Sequence, residues 1–223
     1  MARRAGKIKE IREMHRNVLV LDCGDAFRVK GKFPELWTEA VLAGLDLIGY
    51  DAVNVGEVEL ALGTRFFNEM TMKMTVPFVS ANLSDSNGRL SRVKTYVIKE
   101  FDSIRVGVTG VTPTVFFKDE ILKEDGIVVN SPLKALRQVL KELREKTDII
   151  ILLSHLGYKG TKDFLEYNDF SGIDVVVAGH GRKLLNKPEK VNGTLVVQNS
   201  MGGEYLGRLM LTLGPDGSIR RFE

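Results

Sequence analysis

Two carboxylates and two histidines stand directly behind four apolar runs. Asp25 closes the string Asp22-Cys23-Gly24-Asp25, which follows Val18-Leu19-Val20-Leu21. Glu57 follows Ala52-Val53-Asn54-Val55 and Gly56. His155 follows the run ending in Leu152-Leu153-Ser154, and His180 follows Val175-Val176-Val177-Ala178 and Gly179. Imidazole together with carboxylate suits Zn, Mn or Fe as a ligand set. Glycine beside three of the four lets the backbone turn tightly and come close to a ligand. In open α/β sheets, ligands bind beyond the carboxyl ends of the strands. Each residue alone has a plainer reading. Asp25 can serve a turn, Glu57 can be a solvated loop charge, and either histidine can be a core residue bonded to backbone. Together, the four make a site for one divalent metal as good a reading as the plainer ones. The third histidine, His15, ends an amphipathic run and reads as a helix C-terminal residue complementing the dipole.

The elements that must position these residues alternate between helix and strand. Residues 3–16 have helical spacing, with Ile8, Ile11 and Met14 among Lys, Arg and Glu. Residues 35–48 return to that period, with Leu36, Ala40, Ala43 and Leu47 on one face. Residues 132–146 read as a helix opened by Ser131 as N-cap and Pro132 at the first helical position. Residues 160–168 read as another. The short continuous apolar runs at 18–22, 52–55, 77–81, 148–153 and 174–178 suit buried parallel strands. Residues 93–110 read as two strands joined at Asp102-Ser103. The end of the chain turns antiparallel, with strands at 195–197 and 205–213 and a turn at Gly214-Pro215-Asp216-Gly217. The expectation is one α/β domain over residues 1–223, parallel inside and antiparallel late.

Composition narrows the function classes. The 223 residues are 43% hydrophobic and 27% charged, which excludes disorder and low complexity. A net charge of +3, from 32 basic and 29 acidic residues, argues against a nucleic-acid polymer or an anionic membrane as partner. No apolar run approaches the ~18 residues of a membrane helix. The basic N-terminus lacks the apolar stretch of a signal peptide, so the chain as it stands reads as cytoplasmic. A single cysteine, Cys23, excludes an intrachain disulfide framework and a cysteine zinc cluster.

Five segments in order carry a resemblance. ARRAGKIKEIRE with VLVLDCGDAF, GYDAVNVGEVELALG, ILLSHLG, IDVVVAGHGR and VNGTLVVQNSMGGEYLGRL resemble the catalytic domain of the 5'-nucleotidase family within the calcineurin-like metallophosphoesterases. The resemblance implies a four-layer α/β/β/α sandwich with mixed sheets, acting on a phosphate ester or nucleotide. Carried over by position, Asp25 matches the carboxylate that bridges two metals in the family. His155 and His180 match ligands of the second metal, and Glu57 stands where that metal's Asn ligand would be. The family's catalytic histidine falls on Val58, and its Gly-His-x-His becomes Gly179-His180-Gly181-Arg182.

These departures set further expectations. The first metal keeps only Asp25, so the resemblance implies one metal and no second. Arg182 is the candidate catalytic residue, since a guanidinium suits phosphate bidentately. The plainer alternative for Arg182 is a solvated loop charge beside Lys183. A catalytically impaired module that binds a metal, a phosphorylated ligand or a partner stands as the rival to the enzyme. The family's Asp-x-His strand has no counterpart before the first helix. A homodimer covering that edge, or a natural start upstream of Met1, is the expected remedy. An upstream start would open a periplasmic location.

Overall fold

The computed structural model describes residues 1–116 and 125–223. In chain order its elements are α1 (Ala2–Met14), β1 (Leu21–Asp22), α2 (Pro34–Ile48), β2 (Ala52–Asn54), α3 (Thr64–Thr71), β3 (Phe78–Val79), β4 (Leu83–Asp85) and β5 (Val93–Lys94). The order continues with β6 (Tyr96–Phe101), β7 (Ile104–Val111), β8 (Ile127–Val129), α4 (Pro132–Lys146), β9 (Ile149–Ser154), α5 (Gly157–Glu166) and β10 (Val175–Ala178). It closes with β11 (Glu189–Val191), β12 (Thr194–Gln198), β13 (Leu211–Leu213) and β14 (Ile219–Phe222).

Two sheets carry the architecture. The smaller runs β1-β2-β3-β5, all parallel. The larger runs β11-β12-β10-β9-β7-β6, with a parallel centre and an antiparallel strand at each edge. Strand alternation sorts their side chains into layers. Ile149, Ile151 and Leu153 face a core shared with Ala52 and Val79 of the smaller sheet. Ile150 and Leu152 face the opposite way, onto Leu136, Leu140 and Leu143 of α4 and Leu165 of α5. Val53 and Phe78 turn outward onto Leu42, Leu45 and Ile48 of α2 and Phe67 of α3. The order of layers is therefore helix, sheet, sheet, helix. Each of the fully buried leucines on α4 contributes about 1.5–3 kcal/mol by leaving water.

The two sheets are tied by side chains at the ends nearest the four candidate residues. Asn54 ends β2, and its Nδ2 donates to Val111 O at 3.0 Å and Leu153 O at 3.2 Å in the other sheet. The Cys23 thiol donates to Val177 O at 3.0 Å. Thr112 Oγ1 donates to Val55 O. A polar residue inside an apolar strand needs such partners, and here they fix how the sheets meet.

Several expectations are corrected in detail. The face of α2 formed by Leu36, Ala40, Ala43 and Leu47 turns to solvent, with Leu36 64% and Leu47 90% exposed. The buried face is Thr38, Leu42, Leu45 and Ile48. The helix carries two apolar stripes, and the bulkier one packs against the sheet. The strand read over 205–213 narrows to Leu211–Leu213, which pairs with β14. Tyr205 and Leu206 ahead of it are exposed and outside the ladders. Residues 18–22 narrow to Leu21–Asp22, an edge strand bonded to β2. The hairpin at Asp102-Ser103 and the turn closed by Gly217 N–H to Gly214 O at 3.0 Å form where expected. Ser131 takes the N-cap position of α4, without a capping bond from its side chain. His15 is the C-cap of α1.

Candidate metal centre

Strand register brings the four candidates to one edge. In the larger sheet Ser154 pairs with Ala178, so His155 stands one residue past the end of β9 and His180 two past β10. In the smaller sheet Asp22 pairs with Val53, so Asp25 and Glu57 leave the same end three and four residues later. Their ligand atoms all lie within 4.8 Å of one another. His155 Nε2 is 2.9 Å from Glu57 Oε2 and 3.3 Å from Asp25 Oδ2. His180 Nδ1 is 3.0 Å from Glu57 Oε1 and 3.7 Å from Asp25 Oδ2. The two imidazole rings sit 4.9 Å apart.

The geometry is built by the backbone around it. Asp25 and His180 both adopt left-handed backbone, at φ 59° and 54°. Such residues cost about 1–3 kcal/mol each and concentrate at functional sites. Gly24 and Gly56 let the two loops meet. A Cβ on Gly24 would stand 2.6 Å from Gly56 N, and one on Gly56 would stand 2.9 Å from His155 Cε1. Behind them sits Glu59, fully buried, whose carboxylate accepts the N–H groups of Asp25 at 2.8 Å, Ala26 at 2.7 Å and Gly56 at 2.8 Å. One buried acid thus pins both carboxylate-bearing loops. Burial, followed by the neighbouring Asp25 charge, pushes its carboxyl up to about 7 against the pull of those N–H bonds.

Electrostatics follow from the crowding. Burial lowers the His155 imidazole, but bonds to Asp25 and Glu57 outweigh it and raise the group to about 10. Burial raises the Asp25 carboxyl, and His155 and the Val58 N–H together hold it below the usual range. Burial, then Asp22, pushes the Cys23 thiol well up, so it stays protonated and structural.

The four residues fit a divalent cation. His155 Nδ1 lies 2.7 Å from Cys23 O. An N–H there donates to the carbonyl and leaves the Nε2 lone pair aimed at the two carboxylates, the arrangement by which proteins orient a ligating imidazole. Arg182 is exposed, two residues beyond His180 on the loop after β10. Glu59 and Asn54 are the residues that sequence reading passed over. Asn54 carried a signal, an amide inside an apolar strand; Glu59 carried none beyond its place two residues after Glu57.

The chain matches no family model. Its relatives are nonetheless consistent over its whole length. It is 26% identical to the trifunctional nucleotide phosphoesterase protein YfkN of Bacillus subtilis, covering 98% of this chain and 17% of that protein. It is 28% identical to the snake venom 5'-nucleotidase of Naja atra, covering 98% of this chain and 45% of that protein. It superposes on the 5'-nucleotidase precursor of Thermus thermophilus with a TM-score of 0.84 and 24% identity, over 99% of this chain and 47% of that one. Over nearly its whole length the chain resembles the 5'-nucleotidases of the calcineurin-like metallophosphoesterases. The chain spans less than half the length of these three relatives. The four-layer sandwich expected from the resemblance is the fold observed.

Proposed function

We propose that this domain hydrolyses a phosphate monoester with the help of one divalent cation held by Asp25, Glu57, His155 and His180. The observation that carries the reading is the convergence of those four side chains within 4.8 Å, with His155 oriented through Cys23 O. When bound, such a cation polarises a phosphoryl oxygen and acidifies water enough for attack at neutral pH. The chain's own residues do the rest. Asp25 and Glu57 supply negative charge to balance the cation, and the buried Glu59 holds their loops. Arg182, on the loop carrying His180, is the residue we assign to grip the phosphate. Nucleotides are the substrate class that the relatives' names support.

A second reading is favoured by Val58. Its side chain is half-buried against the outer core and carries no proton to give the leaving group. General acid help is typically worth ~10²–10⁴-fold, so the domain can bind cation and phosphate with little turnover. Metal content of the purified protein, measured alongside hydrolysis of a generic aryl phosphate, separates the two. Turnover abolished by a chelator supports the enzyme. Bound metal without turnover supports the binding module, and absence of both overturns the site.

A further inference from the structure

Helix α2 carries a second apolar stripe, turned to solvent. Leu36, Ala40, Ala43 and Leu47 lie along its outward face, with Leu36 64% and Leu47 90% exposed. Their spacing of four, three and four residues is that of the seam in a helix pair. Phe33, at the entry to the helix, is 70% exposed, and Trp37, one turn on, is 49% exposed. Phe33 is also held in left-handed backbone, at φ 59°. A bulky residue in that conformation is strained, so the chain bears both strain and lost burial to present this face. An exposed apolar group of this extent marks an interaction surface.

Three observations point to a second copy of this chain as the occupant. The stripe reads the same in both directions: large, small, small, large. A two-fold axis between Ala40 and Ala43 sets Leu36 against the partner's Leu47 and Ala40 against the partner's Ala43, the self-complementarity that a two-fold interface requires. The two central alanines let the helices close to the lower end of the ~8–10 Å range for packed pairs. Charge agrees with the antiparallel direction. α2 holds Glu35, Glu39 and Asp46 and no base, whereas Arg28, Lys30 and Lys32 stand just ahead of it. Antiparallel pairing brings the basic stretch of each copy to the carboxyl end of the other helix, the negative end of its dipole. That end already holds one cation within the chain, since Arg12 donates to Ile48 O and Gly49 O. Area agrees as well. With a whole aromatic side chain worth about 150–250 Å², Phe33 and Trp37 leave about 250 Å² uncovered between them. Leu36 and Leu47 add a comparable amount, so two copies bring together about 1,000 Å², where specific interfaces begin.

We propose that the outward face of α2 is a homodimer interface, formed by antiparallel pairing of the helix with its own copy about a two-fold axis. The surface is distinct from the open edge of β1, and the proposal does not rest on the hydrolase reading. Light scattering and sedimentation of the full chain across a dilution series test it first. The expected result is a monomer–dimer equilibrium in the micromolar range, the weak end for an interface of this size. Leu36→Glu and Leu47→Glu place a charge in the seam and should each raise the dissociation constant by about 10-fold or more, as loss of a central contact does. Tyr167→Glu, at a residue 82% exposed at the end of α5, should leave it unchanged. Circular dichroism shows that the variants fold.

Cross-linking tests the symmetry without a charge in the seam. Cys23, the single cysteine, is buried, so new thiols report alone. Leu36→Cys mixed with Leu47→Cys should form an intermolecular disulfide under mild oxidation. Neither variant alone should, because the two-fold sets each position and its own copy about 16 Å apart along the helix, beyond disulfide reach. A chain that stays monomeric at its highest soluble concentration would overturn the interface. So would a dimer untouched by either glutamate, which would place the contact elsewhere, the β1 edge included. Disulfides forming as readily in Leu36→Cys alone would overturn the antiparallel pairing.

Discussion

His155 Nε2 lies 2.9 Å from a Glu57 oxygen and 3.3 Å from an Asp25 oxygen, so one imidazole joins the two loops that carry the acids. In the metal-free protein this contact is an ion pair, because burial is outweighed by the two carboxylates and the imidazole is raised to about 10 from 6.5. A histidine with a raised folded value adds stability that is complete below about 6.5 and lost as the pH rises through about 10. Chelator-treated protein should therefore lose melting temperature between pH 7 and 10, more steeply than His155→Gln. Saturating Zn or Mn should flatten the slope, since the cation replaces the proton. Calorimetric melts across that range check this; parallel slopes for the native chain and His155→Gln would refute the ion pair.

Glu57 tests whether the site holds a cation at all. Glu57→Leu removes one of four donors and should weaken Zn or Mn by more than the ~10–100-fold typical of an outer-shell partner. Glu57→Asn returns a carbonyl oxygen to the same place and should keep most of the affinity, because hard oxygen donors substitute for one another. Competition with a chelating dye gives both constants. Equal affinities for the native chain and Glu57→Leu would remove Glu57 from the ligand set.

Much of this arrangement is written in local sequence, and the parts that are not have physical causes. The strands behind His155 and His180 are continuous apolar runs with parallel neighbours on both sides, so neither register nor burial had a competitor. The face of α2 was ambiguous because Leu36 and Leu47 form one apolar stripe and Leu42, Leu45 and Ile48 another. Residues 205–209 lead into the β13 strand without forming one, because a strand also needs a neighbour, and that is a property of the whole sheet. Glu59 was illegible for a related reason. Its role depends on N–H groups more than thirty residues away, at Asp25, Ala26 and Phe27.

Glu59 should prove structural before it proves catalytic. Glu59→Ala leaves the Asp25, Ala26 and Gly56 N–H groups without their acceptor. Each buried donor left unsatisfied costs about 1–3 kcal/mol. The loss should appear as a lower denaturant midpoint, with metal affinity falling as the Asp25 loop loosens. Glu59→Gln keeps one acceptor oxygen and should fall between the two. Stability of Glu59→Ala within error of the native chain would show that other groups hold these loops.

Val58 offers the most direct reading of the chemistry. It follows Glu57, its N–H donates to Asp25 Oδ1 at 3.1 Å, and its side chain is half-buried against the outer core. The resemblance puts a histidine at this position, and under the proposed hydrolase reading valine there gives the leaving oxygen no proton. Val58→His should raise the turnover number on an aryl phosphate or AMP by ~10²–10⁴-fold if the imidazole reaches that oxygen. Metal affinity should not move, because the backbone bond to Asp25 does not depend on the side chain. The exchange sacrifices some apolar packing, and a loss within the ~0.5–3 kcal/mol of an ordinary point mutant is expected in the melt. The rate gained should fall away at high pH as the imidazole loses its proton, which distinguishes acid catalysis from a general improvement in folding. Unchanged turnover in a folded, metal-loaded Val58→His would mean that proton donation is not what limits this site.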